Sequence, residues 1–353
     1  MNFRELNRKK NIYLRRLKAK AGKCLFDFKN KNRFTPSKLK TFKKVLFLRN
    51  DNKIGDMIVS TMAFRELKKQ LPNSEICVLA GPASAKVIEN NRSVSRIFIC
   101  RNKFSDILKT GLKLRKEHFD LYIDMDRGNT FLTHLLMFLI KPRFAFGFNK
   151  DKFKAYNITC GLDFDANHIT AWHAAAFKAL RLQKPEARYD LFVPNSLKKE
   201  IQKFLSKLPT AKGFIAVNAF ASSKHRCLSA LQIRQTAQSL PQYNFILIGP
   251  NEQAERLKEA SACKNVFTAP KGDIFISFAV TAVTDLLITP DTCFVHAAAA
   301  LGKKQICIYK ESDKPNQKIW VPIFSHTEVI QAPDEFSALP AEEIIKAALK
   351  ALS

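Results

Sequence analysis

The stretch of sequence that decides the fold is residues 286–302, which read LLITPDTCFVHAAAALG. A short apolar run ends at Thr289 and Pro290, an Asp and a Thr follow, and His296 stands near the start of an alanine-rich segment. This pattern predicts a buried strand, a tight turn and the first turn of a helix. In open α/β sheets, ligands bind at the carboxyl ends of strands, beside helix N-termini whose free amides favour phosphates. The stretch therefore predicts a site for a phosphate-bearing ligand.

The rest of the chain alternates short apolar runs with segments of helical periodicity, which predicts α/β architecture with parallel, doubly wound sheets. Residues 183–186 interrupt this rhythm. We therefore expect a basic extension at 1–43, a first domain at 44–188 and a second domain at 189–353, with a cleft between the two domains. Strands are expected at 44–48, 75–79, 97–99, 119–124, around 144, and at 214–217, 244–248, 265–267, 285–288 and 305–308. Helices are expected near 57–70, directly after Gly81-Pro82, and near 107–117, 130–139, 171–182, 196–207, 229–240, 251–262, 274–283, 294–301 and 340–352.

The charge of the chain points to an anionic partner. The sequence has 59 Lys and Arg against 31 Asp and Glu, a formal net charge of +28. Half of this excess lies in residues 1–44, where 16 Lys and Arg accompany two acidic residues and several bulky apolar ones, such as Leu14 and Leu17. Such a mixture favours a helix on an anionic bilayer surface, with a solvated basic arm as the alternative. Nucleic acid is not expected as a partner, because no recognition motif accompanies the charge.

The sequence gives no sign of secretion or of a membrane span. The N-terminus lacks the uninterrupted apolar segment of a signal peptide, and no stretch approaches roughly 20 apolar residues. The eight cysteines form no CxxC pair and no zinc-binding spacing, and several lie in apolar runs such as Ile76-Cys77-Val78. Because these features are typical of buried, reduced thiols, we expect a cytoplasmic protein.

The first candidate site follows the first predicted strand, in the sequence from Arg49 to Thr61. Gly55 is expected to allow a tight turn, and Asp56 to stand at the start of the next helix with its carboxylate at the carboxyl edge of the sheet. A carboxylate in that position can accept a proton from an attacking hydroxyl group. The alternative is that Asp56 is only the N-cap of the helix.

The second candidate site is the loop of residues 218–227, NAFASSKHRC, after a strand of the second half. The hydroxyl groups of Ser222 and Ser223 and the basic side chains of Lys224 and Arg226 suit a diphosphate, although a solvated basic loop has the same composition. Glu252, further along, is a candidate for binding ribose hydroxyl groups, and it is equally ordinary as a residue that opens a helix.

Other polar residues near predicted strand ends complete the candidates. Asp291 and Thr292 either bind the ligand or only cap the helix, and His296 is packed or ligand-binding with similar frequency. Asp124 and Arg127, which follow a strand of the first half, are expected on the acceptor side. We predict no metal site, because Asp291 and His296 have no evident third ligand, and the chain has no Walker A or GxGxxG sequence.

These motifs together resemble a known family. Ile54-Gly55-Asp56, residues 119–124 (FDLYID), the loop after Asn218 and residues 289–302 look like the ADP-heptose:lipopolysaccharide heptosyltransferases, glycosyltransferase family 9. The similarity runs from about residue 44 to residue 322. The resemblance implies two Rossmann-like domains in the GT-B arrangement, with ADP-heptose held by the C-terminal domain. It also implies inverting transfer with no essential metal and no cofactor.

The resemblance assigns roles to particular residues. The catalytic base of the family corresponds to Asp56, with Lys53 and Gly55 beside it on the acceptor side. The phosphate-binding hydroxyl groups correspond to Ser222 and Ser223, and the phosphate-binding lysine to one of Lys224, His225 or Arg226. Further donor contacts correspond to Asp291, Thr292, Cys293 and His296.

Three donor-side positions depart from the family pattern. Cys293 stands where glycine is common, Asn218-Ala219-Phe220 replaces Asn-Pro-Gly, and His225-Arg226-Cys227-Leu228 replaces Lys-Arg-Trp-Pro.

The function implied is transfer of heptose from ADP-heptose to the inner core of lipopolysaccharide. The acceptor would be 3-deoxy-octulosonic acid on lipid A, or a heptose already added, at the inner face of the inner membrane. Asp56 would deprotonate the acceptor hydroxyl group, and the 218–227 loop with the amides near Thr292 would stabilise the leaving ADP. The alternatives are a GT-B transferase that uses another nucleotide sugar, and a non-catalytic protein of this fold that binds anionic lipid or nucleic acid.

Overall fold

The computed structural model describes residues 3–250 and 259–353, which form two compact units. Unit 1 is Met1–Glu186 and unit 2 is Ala187–Ser353. The division lies two residues before the boundary expected from the sequence. Each unit is built on one sheet of parallel strands with helices packed against it, so the chain has a two-domain α/β fold.

The sheet of unit 1 has six parallel strands in the order β3-β2-β1-β4-β5-β6. Its central strands are buried along almost their whole length, as is usual for a parallel sheet covered on both faces. The strands are β1 Lys44–Arg49, β2 Glu75–Ala80, β3 Arg96–Ile99, β4 Leu121–Asp124, β5 Phe144–Phe148 and β6 Ile158–Cys160. The α-helices of this unit are α1 Phe3–Phe26, α2 Ile54–Gln70, α3 Pro82–Lys86, α4 Phe104–Arg115, α5 Phe131–Ile140 and α6 Ile169–Ala179.

The sheet of unit 2 has the same topology as that of unit 1. Its order is β12-β11-β10-β7-β8-β9. Strands β7 to β12 are thus arranged in the same way as β1 to β6 in unit 1, with the sheet listed from its opposite edge. The strands are β7 Gly213–Asn218, β8 Tyr243–Ile248, β9 Val266–Thr268, β10 Leu286–Pro290, β11 Lys304–Lys310 and β12 Thr327–Ala332. The described α-helices are α7 Asn195–Leu205, α8 Ala230–Ser239, α9 Ile274–Val283, α10 Cys293–Ala300, α11 Lys314–Trp320 and α12 Ala341–Leu352.

Residues 286–302 form the strand, turn and helix that the sequence predicts. Strand β10 is buried at all five residues and pairs with β7 and β11 in the centre of its sheet. The Oγ1 atom of Thr292 caps α10 by accepting a hydrogen bond from the amide of Phe294 at 3.3 Å. The buried alanines 297–299 let the helix lie close to the sheet, and Gly302 ends the element with a φ of +66°.

Several elements lie outside the sequence-based prediction. Strand β6 and helix α11 were not predicted because they are short. Strand β12 was not predicted because its sequence mixes polar and apolar residues and has no continuous apolar run. The predicted helix at 251–262 falls mostly on residues 251–258, outside the described residues, and a 3-10 turn occupies Ala260–Ala262.

The prediction of a tight turn at Gly55 was wrong. Helix α2 begins at Ile54, so Gly55 lies in its first turn. The residue with a positive φ is instead Asn52, at 62°, and its Oδ1 atom accepts a hydrogen bond from the amide of Ala83 at 2.7 Å. Asparagine adopts this backbone conformation more readily than most other residues, which explains why the turn needs no glycine.

The second part of the basic N-terminal segment is built into unit 1. The ring of Phe26 packs edge-on against Phe131 of α5, with 5.4 Å between centroids. The carboxylate of Asp27 accepts hydrogen bonds from the amides of Lys154 and Ala155 at 3.1 and 3.0 Å. Residues 26–28 therefore belong to the packing of unit 1, whereas α1 before them still has exposed residues, among them Tyr13, Leu17 and Leu25.

Candidate functional site

The first polar cluster lies at the point where the strand order of unit 1 reverses. The chain runs from β1 through β2 to β3 in one direction and then returns to add β4 on the other side of β1. Strand β1 ends at Arg49 and β4 ends at Asp124, so the carboxyl ends of these neighbouring strands flank the switch point. In doubly wound sheets this is the position at which ligands bind.

Arg49 is the centre of the unit 1 cluster. Its side chain is only 5% exposed, and its Nη1 atom lies 3.4 Å from Asp51, 3.7 Å from Asp56 and 3.7 Å from Asp126. Its Nε atom donates to the Ser60 hydroxyl group at 3.1 Å. One guanidinium group therefore faces three carboxyl groups. Arg49 was not among the candidate residues predicted from the sequence, although a charged residue that directly ends an apolar strand can indicate a site.

Asp56 lies in the first turn of α2, with a side chain that is 16% exposed. The N-cap is Lys53, so Asp56 is not the capping residue that the sequence left as an alternative. The carboxylate has two cationic neighbours, because the Nζ atom of Lys53 lies 3.9 Å from the same oxygen that faces Arg49. A carboxylate in the first turn of a helix is also stabilised by the helix dipole.

The crowding of carboxyl groups changes their protonation. Burial, together with the Asp124 carboxylate, raises the pKa of Asp126 to about 6, although Arg49 opposes the shift. Burial and the Asp56 carboxylate likewise raise the pKa of Asp51, again against the effect of Arg49. Two of the three carboxyl groups around Arg49 are therefore easier to protonate than ordinary aspartates.

Asp124 is a buried support for this cluster, not an exposed acceptor-side residue. It is fully buried, and its Oδ2 atom accepts a hydrogen bond from the Tyr156 hydroxyl group at 2.5 Å and lies 3.9 Å from the Nζ atom of Lys150. Its other oxygen accepts from the amide of Asp126 at 2.9 Å. The expectation that Asp124 faces an acceptor is corrected accordingly, because its carboxylate positions the loop that carries Asp126.

Arg127 and Lys150 contact other parts of unit 1. The guanidinium group of Arg127 stacks on the ring of Trp172, 4.5 Å from its centroid, and donates to Asp165 at 2.9 Å. The buried Lys150 donates to Asn129 Oδ1 at 2.8 Å and so fixes the loop after β4. Neither role could be read from the local sequence, since both partners are distant along the chain.

The second polar cluster lies at the equivalent switch point of unit 2. Here β7 and β10 are neighbours, and Asn218 ends β7. The Nδ2 atom of Asn218 lies within hydrogen-bond distance of Thr289 Oγ1 at 3.0 Å and Thr292 Oγ1 at 3.3 Å, so it joins the ends of the two strands. The buried amide thereby holds the 218–227 loop beside the N-terminus of α10.

Arg226 connects the loop to the end of β10. Its Nη2 atom donates to Ser222 Oγ at 2.6 Å, its Nε atom donates to Ser223 Oγ at 3.1 Å, and its Nη1 atom donates to Asp291 Oδ2 at 3.4 Å. Its side chain remains 22% exposed. Arg226 is therefore in direct contact with three other predicted donor-side residues, Ser222, Ser223 and Asp291. The 3-10 turn that carries it, Lys224–Arg226, consists of basic residues only.

Asp291 and Thr292 have different roles. Thr292 is the N-cap of α10, whereas Asp291 faces Arg226 and accepts a hydrogen bond from Asn316 at 3.3 Å. Burial raises the pKa of Asp291, and the Arg226 charge opposes this shift. Asn316 also belongs to the cluster and was not predicted from the sequence, because it lies in the unpredicted helix α11.

The remaining donor-side predictions are distributed around this cluster. His296 is 5% exposed, and its ring lies between those of Tyr189 and Trp320, with centroids 5.8 and 6.0 Å away. This packing favours the structural alternative for His296. Lys224 is exposed, and Glu252 lies outside the described residues. Within residues 3–250 and 259–353, no group of three His, Cys, Asp or Glu side chains is arranged to hold a metal ion.

The sequence matches a known protein family over most of its length. The family model for glycosyltransferase family 9 (heptosyltransferase) covers residues 107–340. The chain belongs to glycosyltransferase family 9. It is also 24% identical over 343 residues to the Escherichia coli (strain K12) protein named "Putative lipopolysaccharide heptosyltransferase 4", with 94% of this chain and 92% of that protein covered.

Solved structures of glycosyltransferase family 9 share the fold. A family member from Veillonella parvula DSM 2008 has a TM-score of 0.75 at 17% identity, covering 88% of this chain and 97% of that chain. The E. coli ADP-heptose lipopolysaccharide heptosyltransferase II has a TM-score of 0.70 at 17% identity, covering 88% and 98%. The E. coli heptosyltransferase WaaC with ADP-2-deoxy-2-fluoro heptose has a TM-score of 0.67 at 18% identity, covering 88% and 100%.

Two departures from the usual sequence of glycosyltransferase family 9 are accommodated locally. Phe220 is 6% exposed and packs on Gly249, where an added Cβ atom would lie 2.5 Å from the phenylalanine ring. Phe220 and Gly249 therefore depend on each other. Cys293 is the first residue of α10, and burial raises the pKa of its thiol to about 12, so this position holds a neutral side chain.

Proposed function

We propose that the protein transfers heptose from ADP-heptose to the inner core of lipopolysaccharide, with inversion at the anomeric carbon. The acceptor is 3-deoxy-octulosonic acid on lipid A or a heptose already attached to it. Membership of glycosyltransferase family 9 supports the reaction class. The observation that carries the mechanism is the position of Asp56, partly exposed beside Arg49 at the switch point of unit 1.

The switch-point cluster of unit 2 is proposed to bind the diphosphate of the donor. Arg226 supplies a planar, permanently charged group, Ser222 and Ser223 supply hydroxyl groups, and the N-terminal end of α10 adds the positive end of the helix dipole. Asp291 holds Arg226 in place without removing it from solvent, because that side chain is still 22% exposed. Lys224, exposed in the same turn, adds positive charge to the site.

Asp56 is proposed to be the catalytic base. Its carboxylate accepts the proton of the acceptor hydroxyl group while the acceptor oxygen forms a bond to the anomeric carbon of heptose. The bond between that carbon and the phosphate oxygen breaks, and the electron pair leaves with ADP. Arg226 and the hydroxyl groups around it stabilise the negative charge that develops on the diphosphate. Lys53 and Gly55, next to Asp56, together with Arg127, are proposed to line the acceptor side.

The place of action is proposed to be the cytoplasmic face of the inner membrane, where a lipid-linked acceptor is reached peripherally. No helix in the described part of the chain is long and apolar enough to cross a bilayer. The exposed side chains of α1 combine Tyr13, Leu14 and Leu17 with several basic residues, which supports adsorption to anionic lipid.

The test is the variant Asp56→Asn, assayed with ADP-heptose and a lipid A–3-deoxy-octulosonic acid acceptor by following ADP release and the mass of the glycolipid. The substitution keeps the size of the side chain and removes the base, so kcat is expected to fall by at least about a hundredfold. The dissociation constant for ADP, measured by calorimetry, is expected to stay within about twofold of the wild-type value.

Asp334→Asn, which changes an exposed carboxylate of unit 2, is the matched control and is expected to leave kcat unchanged. Near-normal turnover by Asp56→Asn would exclude Asp56 as the base. A wild-type protein that binds ADP but does not use ADP-heptose would indicate another nucleotide sugar, and one that binds no nucleotide would indicate a non-catalytic role.

A further inference from the structure

Helix α4 carries an apolar stripe that faces solvent. Phe104, Leu108 and Leu112 are four residues apart and are 56%, 39% and 49% exposed. The buried residues of the same helix are Ile107, Gly111 and Leu114, which form the adjacent face. Because successive residues turn by about 100°, the apolar surface of α4 continues from the packed side onto the outside of the unit. Three large apolar side chains in a row are more than a soluble surface helix normally exposes.

Basic residues border this stripe on one side and at its N-terminal end. Lys109, Lys113 and Lys116 are exposed, and their spacing places them along one border of the stripe. At the N-terminal end of α4, Arg101 and Lys103 are exposed beside Ile99, which is itself 56% exposed. An apolar stripe bordered by lysines is the pattern of a helix that lies in the plane of an anionic bilayer, with the stripe inserted and the lysines at the headgroups.

Helices α1 and α4 both pack against α5. An added Cβ atom at Gly111 of α4 would lie 2.7 Å from Leu139 of α5, which shows how closely these two helices approach. On α1, an added Cβ atom at Gly22 would lie 2.8 Å from the backbone of Phe131. The two amphipathic helices therefore belong to one helical layer of unit 1, and each has its own exposed apolar residues.

We propose that the stripe of Phe104, Leu108 and Leu112 docks on the anionic lipid bilayer, as a second membrane-binding helix beside α1. The proposal deepens the peripheral membrane location in the proposed function and rests on it. Charge decides between a bilayer and a second copy of the chain as the partner. Unit 1 has 39 Lys and Arg against 16 Asp and Glu, a net of +23, so two such faces repel each other whereas anionic headgroups attract both.

The test uses the full-length triple variant Phe104→Ser, Leu108→Ser, Leu112→Ser, and measures co-sedimentation with phosphatidylcholine vesicles that contain phosphatidylglycerol. These side chains are exposed, so the fold is expected to persist. Binding is expected to weaken by about tenfold or more, because each inserted side chain contributes apolar burial. The double variant Lys109→Glu, Lys113→Glu is expected to lose affinity for these vesicles and to change little with vesicles of phosphatidylcholine alone.

The matched control is Leu231→Ser with Leu349→Ser, which removes two leucines of unit 2 that are both 52% exposed. It is expected to bind the vesicles like the wild type. Wild-type binding by the triple variant would overturn the proposal. The proposal would also be overturned if light scattering found the wild type to be a dimer and the triple variant to be a monomer. That result would show that the stripe contacts a second copy of the chain.

The vesicle assay contains no donor and no acceptor, so its outcome is independent of the reaction. If the proposed reaction is wrong, heptose transfer fails while the triple variant still loses vesicle binding. If only the docking proposal is wrong, transfer to a vesicle-embedded acceptor is observed with unchanged KM in the triple variant. If both are right, the triple variant raises KM for the embedded acceptor and leaves kcat with a detergent-dispersed acceptor unchanged.

Discussion

The two units share one topology, but the polar clusters at their switch points consist of different side chains. In unit 1 the switch point holds three carboxyl groups around the buried Arg49. In unit 2 it holds hydroxyl groups, an amide and the partly exposed Arg226, with a single carboxyl group, Asp291, beside that arginine. The shared fold therefore fixes where polar side chains gather, and the residues at the strand ends decide whether that place suits a proton acceptor or a phosphate.

The two units also differ strongly in net charge. Unit 1 has a net charge of +23, whereas unit 2 has 20 Lys and Arg against 15 Asp and Glu, a net of +5. The carboxylate-rich cluster thus lies in the more basic unit, and the basic cluster lies in the nearly neutral one. The net charge of a unit therefore does not predict which charged groups gather at its switch point. Net charge acts at long range on any charged partner, whereas the cluster acts only on groups in contact with it.

The largest expected effect concerns the two arginines. Arg49→Met leaves three carboxyl groups without their shared cation in a buried setting, and the free energy of unfolding is expected to fall by about 3 kcal/mol or more. Arg226→Met, at a partly exposed position, is expected to cost less than about 1 kcal/mol. Denaturant unfolding of both variants checks this contrast. Equal losses would show that the two arginines have the same structural role.

A smaller effect is expected on nucleotide binding. Arg226→Met removes the charged donor group from the unit 2 cluster, so the dissociation constant for ADP is expected to rise by roughly tenfold to a hundredfold. Arg226→Lys should recover only part of the loss, because lysine lacks the planar group that reaches both serines and Asp291. Calorimetry with ADP measures both changes. The control Arg234→Met alters a basic residue of α8 outside the cluster, and similar weakening by it would refute the assignment.

The smallest expected effect is a pH dependence in unit 1. The pKa of Asp126 is about 6 in the folded protein and near 3.8 when unfolded, so the folded state binds the proton more tightly. Stability from this group is complete below pH 3.8 and is lost as the pH rises through about 6. Asp126→Asn should therefore stabilise the protein at pH 7 relative to the wild type. The gain is expected to be only on the order of 1 kcal/mol, because the Asp126 side chain is about one-third exposed and solvent screens its charge.

The measurement is the difference in unfolding free energy between Asp126→Asn and the wild type at pH 4 and at pH 7. Comparing the two proteins cancels other titrating groups, among them the buried His173, whose pKa burial lowers to about 3. A difference that is the same at both pH values would mean that Asp126 titrates normally.

Local sequence predicted most of the framework, including β1 to β4, β7 to β11 and the strand, turn and helix at 286–302. Strongly periodic apolar runs carry that information. The same reasoning placed Asp56, Ser222, Ser223 and Asp291 at strand ends. It missed β12 and α11, because their side chains are packed on one side only and their local composition is mixed.

The sequence by itself determined where strands end and helices begin, and therefore which polar residues stand at the carboxyl edges of the two sheets. Only the tertiary structure decided which of these side chains turn inward. Asp124 and Asp126 are two residues apart, yet Asp124 is fully buried, because Lys150 and Tyr156 from the segment between β5 and β6 contact its carboxylate. Such burial depends on partners distant along the chain, and local periodicity contains no information about them.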